Sequence, residues 1–191
     1  MLTRRAFTIG SLSVASIFNS FPALAAREAE DEIDPLKARI LRVARDTKPG
    51  VIHVHPDAFA LFWTMENGRA IQYPIGVARP ELWEPGRYII RAKREWPRWT
   101  PTPAMIERDP SYAEWEDGMP GGPGNPLGAR ALYLHHPSGG DTHLRIHGTN
   151  KPDTILTRVS NGCARLTNGY VTHLYDRVPL GTEVYLHPMR A

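Results

Sequence analysis

The only cysteine of the chain, Cys163, stands in a polar turn-forming stretch, Ser160-Asn161-Gly162-Cys163-Ala164-Arg165, sixteen residues after His147. A thiol attacks as its thiolate, which a neighbouring imidazole or helix N-terminal amides can favour. Gly162 lets the backbone come close to an acyl carbon, so that main-chain N–H groups near Cys163 can hold a developing oxyanion. Arg165 supplies a fixed charge suited to a substrate carboxylate. His147 needs an acceptor on its second ring nitrogen, and a backbone carbonyl of Gly148-Thr149 can serve. Each residue also has an ordinary use: a lone thiol can be buried and inert or bridge two chains, and a strand-end histidine can simply be hydrogen-bonded.

Those residues need a frame. From Val51 the apolar pattern has a period of two, which predicts strands over 51–55, 58–65 and 70–77, with turns at Pro56-Asp57 and Glu66-Asn67-Gly68. Asn67-Gly68 is a hairpin signal because both residues tolerate positive φ. Further strands are predicted over 86–93, 129–135, 142–147 and 182–187. Seven strands with few helices predict a mainly β fold, a mixed β-sandwich or barrel-like domain over 51–188. One helix is expected after the cysteine, capped by Asn168, with Val171, Leu174, Tyr175 and Val178 on one face and Pro179 and Gly181 as its stop.

Residues 96–128 break the pattern with seven prolines and a run of glycines from Gly118. Proline this dense forbids regular ladders. Trp96, Trp99, Met105, Tyr112 and Trp115 nevertheless point to an ordered long loop with aromatic anchors, a lid or substrate wall.

The N-terminal part is of another kind. Residues 1–25 carry Arg4-Arg5, a mildly apolar run and a closing Ala23-Leu24-Ala25, the pattern of a cleaved export signal. Thr3-Arg4-Arg5-Ala6-Phe7 is similar to a twin-arginine signal, which implies export of the folded protein to the periplasm, with the membrane met only in transit. Residues 26–50 are expected to hold a charged spacer and a short helix that starts at Asp34-Pro35 and carries Leu36, Ile40 and Val43. The formal charge is +3, and Arg4 and Arg5 account for two of it, so the remainder lacks the basic surface of a nucleic-acid binder. In an oxidising compartment a lone thiol is an oxidation risk, and keeping it suggests a use.

Together, His147-Gly148-Thr149-Asn150 and Ser160-x-Gly162-Cys163-x-Arg165 resemble the signature of the L,D-transpeptidase catalytic domain. Tyr73-Pro74-Ile75-Gly76-Val77, Asn125-Pro126-Leu127-Gly128, Leu174-Tyr175 and Gly181-Thr182-Glu183-Val184 extend the resemblance from Val51 to His187. It implies a peptidoglycan substrate and no cofactor or metal. Cys163 would take the acyl group of a tetrapeptide stem at its third residue, release the terminal D-amino acid, and pass the acyl group to an amine on another stem or on a wall-attached protein. His147 would be the base and the Gly148 carbonyl its orienter, while Ser160, Gly162 and Arg165 would shape the oxyanion and substrate pocket. Asn161 departs from the pattern, since many members have a histidine there that is thought to help the oxyanion region. Asparagine can donate a hydrogen bond but carries no charge. The alternatives are a hydrolase that hands the same thioester to water and a wall-binding module without catalysis. A metal site built from His135, His136, His143 and His147 has unfavourable spacing and no grouped acid.

Overall fold

The computed structural model describes residues 36–190. The export signal, the spacer at 27–32 and the Asp34-Pro35 helix start lie outside the described residues.

The fold is mainly β. Among the described residues the strands are β1 (Arg39–Arg42), β2 (Val51–His55), β3 (Ala60–Met65), β4 (Arg69–Pro74), β5 (Val77–Ala78) and β6 (Gly86–Glu95). After the long loop come β7 (Arg130–His135), β8 (Asp141–His147), β9 (Arg158–Ser160), β10 (Ala164–Arg165) and β11 (Glu183–Leu186). Two helices accompany them, α1 (Pro103–Arg108) and α2 (Asn168–Arg177).

Nine strands form one mixed sheet in the order β1-β4-β3-β2-β11-β6-β7-β8-β10, and β5 and β9 make a separate parallel pair. The meanders β2-β3-β4 and β6-β7-β8 follow the predicted hairpins. Asn67 and Gly68 both have positive φ at the β3–β4 turn, as their side chains allow. The last strand, β11, joins the two meanders, parallel to β2 and antiparallel to β6. The sheet then curls so that the segment after β4 meets the final strand in that order, β10. Gly76, just past β4, exchanges two backbone hydrogen bonds of 2.8 Å with Arg165 of β10. That bridge gives the barrel-like closure.

The interior is apolar and continuous. Ile52, Leu61, Tyr73, Ile90, Leu132 and Ile146 are fully buried from the strands, and Leu166, Val171 and Leu174 from the segment that carries α2. Thr167, not Asn168, caps α2, its hydroxyl accepting from the Tyr170 N–H. At the other end Lys93 Nζ donates to the Tyr175 and Val178 carbonyls, placing a cation at the helix C-terminus.

Two expectations about the strands and helices also need correction. The chain at Arg39–Arg42 is a strand, not a helix, paired antiparallel with β4 from Arg39 opposite Gln72 to Arg42 opposite Arg69. The apolar spacing there was coincidental, since Ile40 is 64% exposed and no helical stripe is buried, while the outer edge of β4 offered unpaired backbone groups. The strand predicted over 70–77 is broken: β4 ends at Pro74, and the chain turns through Ile75-Gly76 into β5.

The long loop is ordered. Trp99 bridges Met119 and packs edge-on against Tyr112, with ring centroids 5.3 Å apart. Asn125, 1% exposed, ties the loop to itself through the Met119 and Pro120 carbonyls and the Leu127 N–H. Trp96 is no anchor, being 44% exposed.

On one face of β2 and β11, His55 stacks on His187 at 4.0 Å, and His187 on His53 at 5.4 Å. Burial, together with the charge on neighbouring rings in the case of His53 and His55, holds these histidines below their ordinary 6.5. The unfolded chain therefore takes up protons first as pH falls through 6.5, and folding stability drops over that window. The melting temperature should fall between pH 7 and pH 5, and fall less steeply in His187→Phe; equal slopes would exclude the stack as a contributor.

Candidate active site

β8 and β10 run parallel, with Ala164 opposite Ile146 and Arg165 opposite His147. Continued by one step, that register sets Cys163 opposite Arg145. Because side chains alternate along a strand, Arg165, Arg145 and His147 belong to one face, and Cys163 enters from the turn just before β10. The closing strand thus brings the cysteine turn alongside the end of β8 that carries His147.

His147 is 4% exposed, and its Nδ1–H donates to its neighbour's carbonyl, Gly148 O, at 2.6 Å. This fixes the tautomer and leaves Nε2 with the lone pair a base requires. Gly148 is locked in turn: its N–H donates to the Arg130 carbonyl, and a Cβ there would lie 2.3 Å from Asn168 Oδ1. Thr149 is buried, and its hydroxyl accepts from the Lys151 N–H.

The cysteine turn is built by Ser160 and Gly162. Ser160 is buried, and its hydroxyl donates to the Cys163 carbonyl at 2.6 Å, so it shapes the turn and does not point at an acyl oxygen. Gly162 has φ +119°, and a Cβ there would meet Leu144 Cδ2 at 3.0 Å. Asn161 accepts from Arg108 Nη2 at 3.2 Å, which fastens α1 of the long loop to the turn. The lid expected from residues 96–128 therefore reaches the site.

The thiol faces the backbone of β8. Its S–H points to the His143 carbonyl at 3.9 Å. That carbonyl is displaced by a bulge in which β8 carries extra residues opposite Leu134 and His143 adopts φ +60°. Thr142 fills the broken ladder, donating to the Leu134 carbonyl and accepting from the Leu144 N–H. His143 thus contributes its main chain where the sequence suggested only its ring. His135 and His136 stand elsewhere: His135 pairs with Asp141 at the opposite end of the β7–β8 ladder from His147, and His136 lies against Tyr88.

Arg165 is 8% exposed. Its Nη2 donates to the Thr154 carbonyl at 3.2 Å, while its buried Nε has no partner among the described residues. A buried donor left unpaired is costly unless a ligand completes it. Gly76 makes room for this side chain, since a Cβ there would be 3.1 Å from Arg165 Nη2.

Burial holds His147 far below the usual histidine range, at about 4, with the Arg165 and Arg145 charges adding to the effect and the Gly148 and Leu127 carbonyls opposing it. Burial also pushes the Cys163 thiol up, against the Arg145 N–H and the Arg145 and Arg165 charges. The resting pair at neutral pH is therefore a thiol and a neutral imidazole. This corrects the expectation of a thiolate held by His⁺ and helix amides, for β10 lies between Cys163 and the start of α2.

The family described as YkuD, L,D-transpeptidase catalytic domain, matches residues 49–186, and the chain belongs to that family. The probable L,D-transpeptidase ErfK/SrfK of Escherichia coli (strain K12) is 37% identical over 148 residues, covering 74% of this chain and 45% of that protein. The chain spans about half the length of the curated relatives it matches. A crystal structure from Brucella melitensis, described as a probable carnitine operon oxidoreductase caia, is 47% identical with a TM-score of 0.55, covering 78% of this chain and 93% of that one. The avibactam carbamoyl enzyme of Ldtfm shares the fold at 15% identity and a TM-score of 0.56, covering 75% and 50% of the two chains.

Two outcomes follow from the site. Gly162→Ala should lose about 1–3 kcal/mol in urea unfolding, because an L residue is strained at that φ and has no room for its Cβ; a loss within error would refute the packing described. The base is neutral above its pKa, so the acid limb of thiol acylation should lie near pH 4, and a limb at 6.5 in the pH–rate profile would contradict a buried His147.

Proposed function

We propose that the protein is an L,D-transpeptidase of the periplasm, exported by its twin-arginine-like N-terminus, that forms an acyl-thioester on Cys163 from a peptidoglycan tetrapeptide stem. The observation that carries this reading is the β8–β10 register, which runs the cysteine turn alongside the strand end that holds a tautomer-fixed His147.

The chemistry balances on these residues. Cys163 turns from the His143 carbonyl toward His147, and Nε2 takes the thiol proton as sulfur attacks the carbonyl carbon of the third stem residue. The C–S bond forms and the carbonyl π electrons move to oxygen, held by N–H groups of the cysteine turn. As the oxyanion collapses, the C–N bond to the terminal D-amino acid breaks, and the imidazolium returns its proton to the leaving amine. An acceptor amine then attacks the thioester, His147 takes its proton, and the C–S bond breaks with the proton restored to sulfur. The unpaired Nε of Arg165 suits a stem carboxylate. The loop that reaches Asn161 through Arg108 favours the amine over water by walling the cleft.

Purified mature protein incubated with stem tetrapeptides should show a covalent adduct by intact mass, and cross-linked dimers should accumulate. Cys163→Ala should show neither. Shortened monomers without dimers would assign water as the acceptor, and no adduct on the wild type would sink the acyl-transfer reading.

A further inference from the structure

Asn168 stands at the start of α2, where a capping role is the ordinary expectation, but Thr167 fills that role. Asn168 Oδ1 instead accepts two backbone N–H groups from separate parts of the chain, Ala129 at 2.9 Å and Thr149 at 3.2 Å. One donor closes the long loop and the other directly follows the His147-Gly148 pair. The backbone is drawn tightly around this oxygen: a Cβ on Gly128 would lie 2.2 Å from it, and one on Gly148 2.3 Å. Gly128 also presses on the second segment, its Cβ position falling 2.4 Å from the Thr149 nitrogen.

The two segments share a task. The carbonyl of Gly148 receives Nδ1–H of His147, and the carbonyl of Leu127, next to Gly128, acts on the same ring. The oxygen that clamps them belongs to a helix seated in the core through Val171 and Leu174. We infer that Asn168 is a positioning residue for the general base, an amide oxygen that sets the Gly148 carbonyl and thereby the orientation and tautomer of His147. The inference rests on the acyl-transfer reading only in calling His147 a base. The other charged groups that act at this ring are Arg145 on β8 and Arg165 on the closing strand.

Two variants separate this role from simple stabilisation. Asn168→Ala removes the acceptor. Asn168→Asp keeps an acceptor for both N–H groups and adds a negative charge behind Gly148. Both are followed by carbapenem acylation of Cys163 and by its alkylation with iodoacetamide across pH, with thermal melts to fix temperatures at which each variant is folded. Asn168→Ala should slow acylation by about tenfold or more through kcat with little change in KM, since a misaligned base costs about that much. Asn168→Asp should recover most of the rate and move the acid limb of both profiles to higher pH, because the added charge favours the imidazolium. Wild-type rates in folded Asn168→Ala overturn the inference, as does an Asp variant no faster than Ala. If the Ala variant does not fold, the Asp profile decides, and an unmoved acid limb overturns it. Alkylation needs no acyl donor, so a wild type that alkylates but never acylates counts against the acyl-transfer reading alone.

Discussion

Two residues of β10 carry much of the molecule's logic. Ala164 and Arg165 pair in parallel with the end of β8, and Arg165 also exchanges both backbone hydrogen bonds with Gly76 beyond β4. The same peptide units therefore close the sheet and set the cysteine turn beside the strand end that carries His147. Tight backbone approach at the closure demands glycine: a Cβ on Gly76 would lie 2.8 Å from the Thr154 carbonyl. The side chain of Arg165 then lies beside the closure and leaves one buried donor unfilled. Architecture and chemistry share these few atoms, so neither can be altered alone.

Electrostatics follow from the same closure. Placing buried His147 and half-buried Cys163 beside Arg145 and Arg165 puts two titratable groups where the two cations act oppositely: they disfavour an imidazolium and favour a thiolate. Burial disfavours both ions, and it is the larger cause at each residue. The outcome at neutral pH is a thiol and an imidazole that are both uncharged. The Gly148 carbonyl is the opposing element, since it stabilises the ring once it is charged.

Much of this was legible in the sequence because it depended on local signals. Period-two stretches marked the long strands, Asn67-Gly68 marked a hairpin, and Val171-Leu174-Val178 marked the buried face of α2. Residue type and spacing singled out His147 and Cys163 as candidates, and the resemblance to the family pointed to the Gly148 carbonyl that the His147 ring meets. What stayed hidden depended on pairing over long distances. The β1 segment looked helical because three apolar residues happened to fall at helical spacing, and only the edge of β4 decides otherwise. The two-residue strand β10 is too short to show a period. Asn168 resembled a cap because its neighbour Thr167 is the real one, and its partners lie across the fold. His143 acts through a main-chain carbonyl turned by a bulge, which no side-chain pattern announces. Asn161 marked a departure from the family pattern, but its tie to Arg108 needed the folded loop.

The bond between Gly76 and Arg165 also orders events in time. It joins segments far apart in the chain, and such contacts form only after the intervening loop has been drawn in. Both meanders can pair without it. The closing strand is short, so it has few hydrogen bonds with which to resist opening. Local breathing of this seam would move the cysteine turn away from β8 while the rest of the sheet stayed paired. A newly made chain would thus set Cys163 beside β8 only at the end of folding, and the thiol would spend the earlier stages without that neighbour.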